Sequence, residues 1–256
     1  NEGHSYTPIY RLSIYANNAF DRVNQNMNKG KTLTWDNLLT YKFNVAETHR
    51  FEAMVGTSSI NFDGTTISAT NADSFFDDLE HAWLDNTTNK DGARISLKGN
   101  KFENILMSYF GRLNYNYKEK YLLNATLRAD GSSKFAAGNQ WGYFPSVSGG
   151  WVVSNEEFLR DSKAINFLKL RASWGQNGND QFARRFAYMS TVNSADKTYH
   201  FGTGDETLLV GSSPDQLANR NLKWETSEQL DLGFDATLFN NFTLTFDYYD
   251  KKTKDW

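Results

Sequence analysis

The most regular stretch of the chain runs from Ser108 to Trp151, where apolar and polar side chains alternate. The apolar positions are Met107, Tyr109, Gly111, Leu113, Tyr115 and Tyr117 and, after a polar turn at residues 118–120, Tyr121, Leu123, Ala125, Leu127 and Ala129. The positions between them are mostly polar: Ser108, Phe110, Arg112, Asn114 and Asn116, then Leu122, Asn124, Thr126, Arg128 and Asp130. A period of two predicts β-strands, because successive side chains leave opposite faces of the pleat. Two such strands with a short turn predict a β-hairpin.

The same alternation recurs along the chain and predicts about nine strands. Besides the hairpin, they are expected at residues 9–16, 32–45, 49–60, 141–153, 166–175, 224–238 and from 242 onward. Short connections at 46–48, 118–120, 154–165 and 240–241 alternate with long ones at 17–30, 61–104, 131–140 and 176–223. Within the connections we expect a short helix at 71–79, a helical turn at 154–160 capped by Ser154 or Asn155, and an extra strand near 185–192. Pro145 inside a strand predicts a sheet edge or a bulge.

The composition indicates whether the apolar faces of the strands contact a protein core or lipid. The chain of 256 residues is 39% hydrophobic and 15% aromatic, yet its mean hydropathy is −0.64, because the apolar residues mostly alternate with polar ones. A closed protein core would not accept the charges and amides of the polar positions unpaired. Aromatic residues lie near both ends of the strands, as in the interfacial girdles of membrane proteins. We therefore predict an all-β fold, a transmembrane antiparallel up-and-down β-barrel with a lipid face and a wet lumen.

Several functional classes are disfavoured by the residues themselves. The formal net charge of −3 provides no basic footprint for nucleic acid, and without cysteine there is no disulfide or thiolate chemistry. The four histidines, His4, His49, His81 and His200, are isolated in the sequence, which argues against a metal or general-base site. Acidic clusters at 77–78 and 177–180 offer oxygen ligands for Ca²⁺, but solvated turns are the favoured interpretation. The residues at the start, NEGHSYTPIY, do not have the pattern of a signal peptide. No enzymatic activity and no cofactor are expected.

Five blocks of the sequence resemble a known family. They are SYFGRLNYNYKEKYLLNATLRADGSSKF, WGYFPSVSGGW, SNEEFL, LKLRASWGQNGN and NLKWETSEQLDLGFDATLFNNFTLTFDYYDKKT, and WDNLLTYKF also fits. In order and spacing they resemble the SusC/RagA group of TonB-dependent outer-membrane transporters of Bacteroidetes. The resemblance extends from Leu33 to the C-terminus, while the long connections match poorly.

The resemblance implies that residues 1–256 are part of one β-barrel domain of the 22-stranded type, without the plug and the TonB-contacting region. About nine strands would form only part of that wall. The implied protein resides in the cell outer membrane, in contact with its lipid. It imports oligosaccharides or peptides with a SusD-like surface lipoprotein, using energy relayed by the TonB complex.

Candidate ligand contacts fall into two groups. We expect a lumen-lining set of polar residues, which are Arg112, Asn114, Arg128, Asp130 and Arg171. Aromatic residues of the long connections are expected to stack on sugars or side chains, with ordinary loop packing as the alternative: Trp83, Tyr188 and Tyr199, and also Phe182 and Phe201. Residues 128–134 are tempting as a ligand site, but Asp130 and Gly131 at a strand end predict a simple turn.

Two other functions stay open. One is a soluble or surface-attached β-sandwich that binds carbohydrate through its aromatic residues. Its core would also alternate, but it would not need aromatic bands at both strand ends. The other is a barrel with an adhesive or structural role and no transport.

Overall fold

The fold is seen in a computed structural model, which describes residues 1–13, 15–199 and 209–255. Strands dominate these residues. In chain order they are β1 (Glu2–Thr7), β2 (Tyr10–Arg11), β3 (Asn17–Asn18), β4 (Arg22–Val45), β5 (His49–Asn71), β6 (Ser96–Tyr117), β7 (Tyr121–Ser132), β8 (Trp141–Val152), β9 (Ile165–Asn179), β10 (Thr191–Tyr199), β11 (Leu209–Gln216), β12 (Glu225–Leu238) and β13 (Phe242–Lys254). Short 3-10 helices occur at Leu84–Asn86, Gly92–Arg94 and Val153–Asn155. Among the described residues, no helix is long and apolar enough to cross a membrane.

One large sheet contains nine of these strands in the order β1-β4-β5-β6-β7-β8-β9-β12-β13. The pairings whose register is defined are antiparallel, and consecutive strands of the sheet are mostly neighbours in sequence. The all-β prediction and the number of strands are therefore confirmed. Two-stranded sheets form from β2 with β3 and from β10 with β11.

The chain divides into two compact units. One comprises Asn1–Leu33 with Ile60–Asn104, and its buried apolar residues are Val23, Ala72 and Ala82. The other comprises Thr34–Ser59 with Ile105–Trp256, and a buried cluster of Phe135, Phe144 and Trp224 lies within it.

The predicted hairpin forms with the expected register. Leu113 lies opposite Ala125 and Arg112 opposite Thr126, so the apolar positions share one face and the polar positions share the other. Lys118 and Glu119 form the turn with φ angles of 49° and 58°. The turns at 46–48 and around Asn240 are confirmed in the same way, with Ala46 and Asn240 also at positive φ.

The prediction of a strand at residues 9–16 is wrong. The strand beside β4 is instead β1, whose register runs from Glu2 opposite Met27 to Thr7 opposite Arg22. In the described part of 9–16 only the two-residue strand β2 forms, and it pairs with β3. The chain turns after it, where the Ser13 hydroxyl accepts hydrogen bonds from the backbone N–H groups of Tyr15 and Ala16, at 3.2 and 2.9 Å.

The predicted connections at 17–30 and 61–104 are too long. Strand β4 already begins at Arg22, β5 continues to Asn71 and β6 begins at Ser96. These extensions are polar, which favoured loops, but cross-strand amide contacts support them. Asn24 Nδ2, for example, donates to Thr70 Oγ1 at 2.8 Å and to Ser68 Oγ at 3.2 Å.

The helix predicted at residues 71–79 is also wrong. The carboxylate of Asp21 accepts the backbone N–H groups of Asp73 and Ser74 at 2.6 and 2.7 Å, and Ser74 forms an isolated β-bridge with Thr87. These contacts hold the segment in a non-helical conformation, with Asp73 at a φ of 58°, where a helix would have begun.

The other predicted local elements are partly confirmed. A helical turn follows β8, but its N-cap residue is Val152, which has no side-chain acceptor, and not Ser154 or Asn155. The Asn155 amide donates to the backbone oxygen of Glu119 at 3.0 Å. The extra strand expected near 185–192 lies later, in β10 and β11. Pro145 does mark an edge: the β8–β9 ladder ends at Ser146, so residues 141–145 pair with β7 alone.

Candidate functional site

The strand register assembles the polar side chains into rows across the second unit. One row contains Asn114, Asn124, Ser148, Ser173 and Asp231, which are register partners from β6 to β12. Since neighbouring strands lie about 4.8 Å apart, the members of a row are in reach of one another. The wall is therefore polar across its width.

The opposite face carries rows of large apolar side chains. One row runs through Tyr115, Leu123, Gly149, Ala172, Leu232 and Tyr248, and the next through Tyr117, Tyr121, Trp151, Leu170, Phe234 and Phe246. Many side chains elsewhere on this apolar face are also exposed, for example Leu127 at 56% and Tyr143 at 66%. Such a face requires an apolar medium or an apolar partner.

On the polar face, a hydrogen-bonded chain links four strands. Lys42 Nζ lies 3.0 Å from the Glu52 carboxylate, which also accepts a hydrogen bond from Asn114 Nδ2 at 3.5 Å. The Asn114 side-chain oxygen in turn accepts from Asn124. The Thr126 hydroxyl donates to Asn124 Oδ1 at 3.4 Å. Of the residues in this hydrogen-bonded series, only Asn114 was predicted from the sequence to be a site residue. The alternation of apolar and polar positions in their strands was the only sequence signal for Glu52 and Lys42.

Arg171 is the centre of a second polar group. Its guanidinium donates to Asp235 at 3.1 and 3.3 Å and lies 2.8 Å from Asp247 on the next strand. Gly150 and Gly233 are its register partners, and a β-carbon on Gly233 would lie 3.2 Å from Arg171 Cζ. Because these two glycines have no side chain, the guanidinium has room to lie across Gly233 and to neutralise the carboxylates of Asp235 and Asp247.

A third group surrounds Arg128 near the long-connection end of β7. Arg128 Nε lies 2.8 Å from both oxygens of Asp130, and its Nη2 donates to the Ser108 hydroxyl at 3.0 Å. Ser108 is 1% exposed. Beyond it, the Ser132 hydroxyl and Lys134 Nζ both bind Asp180, at 2.8 Å to Oδ2 and 2.8 Å to the backbone oxygen. Residues 128–134 thus satisfy one another and their neighbours, which is consistent with the turn interpretation.

Residues of the first two groups border a cavity of about 560 Å³ on the polar face. Its lining includes Glu52, Asn114, Asn124, Lys169, Arg171 and Asp231. Hydroxyl, amide and paired charged groups of this kind bind a polar solute by exchangeable hydrogen bonds.

A clear difference between two faces, on antiparallel strands joined by tight turns, is typical of a membrane barrel wall. The family model described as TonB dependent receptor-like, beta-barrel matches residues 2–256. The chain belongs to this family.

Curated relatives of this receptor barrel come from Bacteroidetes. TonB-dependent receptor P3 of Formosa agariphila is 41% identical over 172 residues, which are 65% of this chain and 16% of that protein. TonB-dependent receptor SusC of Bacteroides thetaiotaomicron is 41% identical over 155 residues, 59% of this chain and 15% of that protein. The chain thus spans about a sixth of the length of these relatives.

Solved structures agree on the fold of the receptor barrel. The structure described as the RagAB peptide transporter superposes with a TM-score of 0.78 at 24% identity, covering 98% of this chain and 26% of that one. The RagAB peptide importer in its "closed-closed" state gives a TM-score of 0.78 over 99% of this chain and 27% of that one. The predicted resemblance to the SusC/RagA group is therefore confirmed.

The polar residues expected to line the lumen of the receptor barrel all lie on the polar face. Asn114, Arg128, Asp130 and Arg171 belong to the hydrogen-bonded groups above, and exposed Arg112 lies opposite Thr126. Their facing toward a lumen stays a prediction.

The aromatic candidates are dispersed over the long connections. Trp83 stacks on His4 with ring centroids 4.5 Å apart and donates its indole N–H to the Glu80 oxygen, so its contacts are those of loop packing. Phe182 is 80% exposed, and Tyr188 lies 6.3 Å from Phe186 between ring centroids. Tyr199 ends β10, but its side chain, like His200 and Phe201, lies outside the described residues.

The acidic clusters considered for Ca²⁺ are engaged by protein donors. Asp78 accepts the backbone N–H and the imidazole of His81 at 2.9 and 3.0 Å, which holds the pKa of that carboxyl below its usual range. Asp180 accepts from Ser132 and Lys134 as described. Within the described residues, no group of three or more acidic, His or Cys side chains is placed to hold a metal ion.

At the short-turn end, Glu156 forms a compact polar contact. It lies 2.8 Å from Lys120 Nζ and accepts the indole N–H of Trp151 at 3.1 Å. The hydrogen bond from Lys120, followed by those from Tyr121 and Trp151, lowers the pKa of Glu156. The same contact raises the pKa of Lys120. The sequence had indicated only a helical turn here.

Proposed function

We propose that this chain forms part of the wall of an outer-membrane transporter that imports nutrient oligomers, oligosaccharides or peptides, in a TonB-dependent manner. The apolar face meets lipid and the polar face meets the lumen. Arg112, Asn114, Arg128, Asp130 and Arg171 line the lumen in this proposal.

The observation that supports this proposal most is the contrast between the two faces of one sheet. Leu127, Leu232 and Phe246 are 56%, 46% and 55% exposed on the apolar face. The register places Arg171 and its two carboxylates on the other face. Lipid-facing and lumen-facing residues alternate in this way in membrane barrels.

The local neutralisation of charge on the polar face suits a passage for varied polar solutes. Each of Arg171, Arg128 and Lys42 has a carboxylate within 3.1 Å. A wall without a strong single-sign field does not select its solutes by net charge alone. Selection then depends on the long connections and on a partner.

A SusD-like surface lipoprotein is the partner that we propose, with the TonB complex acting through other parts of the receptor. The solved relatives are described as peptide transporters and importers, which supports peptides as one ligand class. Among the aromatic candidates, exposed Phe182, and Tyr188 beside Phe186, are favoured as ligand contacts over Trp83, which is stacked on His4.

A β-sandwich would cover the apolar face with a second sheet. In the described residues the two further sheets are only two-stranded, and the apolar side chains named above stay exposed. The whole receptor should therefore require detergent for solubility, and recovery of a monodisperse protein without detergent would favour the sandwich.

The facing is tested by one substitution on each side of β7. Leu127→Arg places a cation on the lipid face, which costs about 2–4 kcal/mol at the bilayer midplane. Thr126→Arg, one residue away on the polar face, should leave the amount of folded receptor in the outer membrane nearly unchanged. Equal losses for both variants would contradict the proposed facing.

Transport itself is tested by uptake into cells that produce the whole receptor. Fluorescein-labelled peptide and oligosaccharide mixtures of defined size should accumulate in the periplasm only when TonB is intact. Accumulation of neither probe, with the receptor folded in the outer membrane, would favour the adhesive or structural barrel.

A further inference from the structure

The strands β8 and β9 are paired over only part of their length. Their ladder runs from Val152 opposite Lys169 to Ser146 opposite Gly175 and stops beside Pro145. Beyond this point β8 continues to Trp141 with β7 as its partner, and β9 continues to Asn179 with β12 as its partner. We call these two outer segments, residues 141–145 and 176–179, the arms of a fork.

An aromatic ring fills the fork. Phe144 packs so closely against Gly178 that a β-carbon there would overlap with the ring, and Gly142 provides the same clearance on its own strand. Phe144 also packs on Trp224 with ring centroids 5.5 Å apart. A cavity of about 350 Å³ with Arg128, Asp130 and Asn177 in its lining lies next to the ring.

Side chains bridge the connections that continue from the two arms. Asp180, directly after β9, binds Ser132 at the end of β7 and Lys134 of the connection that precedes β8. The Trp224 indole N–H donates to the Gln140 oxygen at 2.9 Å, and Asn139 Nδ2 donates to the Arg220 oxygen at 2.9 Å. The fork is thus closed by side chains where a ladder closes the rest of the β8–β9 pair.

We propose that the fork is a hinge in the wall and that Asp180 is its latch. Separating the arms breaks the Asp180 contacts and withdraws Phe144, but it breaks no ladder hydrogen bond between β8 and β9. Along the rest of the β8–β9 pair, from Ser146 opposite Gly175 to Val152 opposite Lys169, the two strands part only by losing ladder hydrogen bonds. The hinge lets the connection before β8 and the connection after β9 move apart beside the cavity of about 350 Å³.

This inference rests on the proposed transport function for its purpose, since a mouth that widens admits bulkier oligomers. Its physical content is independent of transport, because the motion is a property of the apo receptor. A ligand-free measurement therefore tests the hinge, and uptake assays test the function.

The experiment is amide hydrogen exchange on the whole receptor in detergent, read by mass spectrometry for peptides from both arms. Asp180→Ala removes the carboxylate that accepts from Ser132 Oγ at 2.8 Å and lies 3.5 Å from Lys134 Nζ, while the hydrogen bond of Lys134 to the backbone oxygen of residue 180 stays. It should accelerate exchange in both arms by about tenfold, the effect of losing a charged hydrogen bond. The matched control is Asp231→Ala, which removes a carboxylate that accepts from Ser173 at 3.1 Å and Gln229 at 2.8 Å on a fully paired stretch. It should leave exchange in the arms unchanged.

Exchange in the paired residues 146–152 and 169–175 shows in each variant that the sheet is folded. Lys134→Gln removes only part of the latch and should give a smaller acceleration confined to the same arms. Arms that exchange as slowly in Asp180→Ala as in the unchanged receptor overturn the hinge, as does an equal acceleration in the paired residues.

Discussion

The tight turns of the sheet and the long connection at residues 72–95 reverse the chain by different means. In each tight turn two successive residues adopt positive φ, namely Ala46 and Glu47, Lys118 and Glu119, and Phe239 and Asn240. Such turns match the twist of the flanking strands. The backbone conformation alone reverses the chain, so these turns depend little on their side chains.

The long connection depends on side chains instead. The Asp21 carboxylate holds the backbone of Asp73 and Ser74, and Asn89 Nδ2 donates to Asn71 Oδ1 at 2.9 Å. Asp21 lies more than fifty positions earlier in the chain. A tight turn is therefore a local property, whereas the long connection is a property of its distant contacts, and the two should respond differently to substitution.

The largest expected effect is the loss of Asp21. Its carboxylate is 5% exposed, and Asp21→Ala leaves two backbone N–H groups without their acceptor. We expect a local destabilisation of about 2–4 kcal/mol, since each unsatisfied buried donor costs about 1–3 kcal/mol. Hydrogen exchange of residues 72–95 measures it. Asp77→Ala is the control, because Asp77 is an exposed carboxylate of the same connection. Equal protection in both variants would contradict the anchoring role.

A smaller effect is expected at Gly178, where the long-connection end of the second unit is packed. Gly178→Ala forces Phe144 away, and overpacking of this kind costs about 1–3 kcal/mol. Fluorescence of Trp224, the neighbour of Phe144, should report the displacement. Gly99→Ala is the matched control, because a β-carbon at Gly99 would lie 3.9 Å from its nearest neighbour, the backbone oxygen of Thr66. A thermal midpoint of Gly178→Ala equal to that of the control would show that the ring moves without cost.

The same contrast explains which parts of the fold could be predicted from the sequence. The hairpin followed from its period of two, because Leu113 and Leu127 must share a face once the turn at 118–120 is placed. The polar extension of β4 before Thr32 could not be predicted in this way, since its side chains do not alternate in polarity. Likewise, the composition of residues 71–79 favours a helix, and nothing in it indicates that the backbone of Asp73 binds the distant Asp21 carboxylate instead.

For the candidate site, parity predicted the face of each residue but not its partner. Arg171 was expected on the polar face, but its pairing with Asp235 and Asp247 depends on the register of three strands and on Gly233. The end of the β8–β9 ladder was indicated by Pro145 alone. Which residues close the gap was decided by contacts across more than forty positions, such as Ser132 with Asp180.

The tight turn at 118–120 should accept a change that favours positive φ. Lys118 has a φ of 49°, and asparagine tolerates this region better than lysine. Lys118→Asn should raise stability by about 0.5 kcal/mol, measured as a shift in the thermal midpoint of the receptor in detergent. The same substitution at exposed Lys31 in β4 should lower stability slightly, because asparagine is disfavoured in strands. A loss at both positions would indicate that the Lys118 side chain, which lies over Tyr117, matters more than its φ.

The smallest expected effect concerns the contact between Lys120 and Glu156, which ties neighbouring turns together. The pKa of Glu156 is lowered in the folded receptor, so its contribution to stability is present above the unfolded pKa and disappears as the pH falls through the folded one. The pKa of Lys120 is raised, so the contact is lost again only as the pH rises through that higher value.

Glu156→Gln should therefore unfold at a lower temperature than the unchanged receptor at neutral pH. The difference should shrink as the pH falls below the ordinary glutamate pKa of about 4.3 and vanish below the lowered pKa of Glu156 in the folded receptor. Exposed Glu157 provides the control, because Glu157→Gln leaves the hydrogen bonds of Glu156 to Lys120 and Trp151 in place. A difference between Glu156→Gln and the unchanged receptor that persists undiminished in acid would mean that the glutamate acts by packing. In that case the turns are joined by shape rather than by charge, and the contrast with the long connection, where a carboxylate is the anchor, becomes sharper.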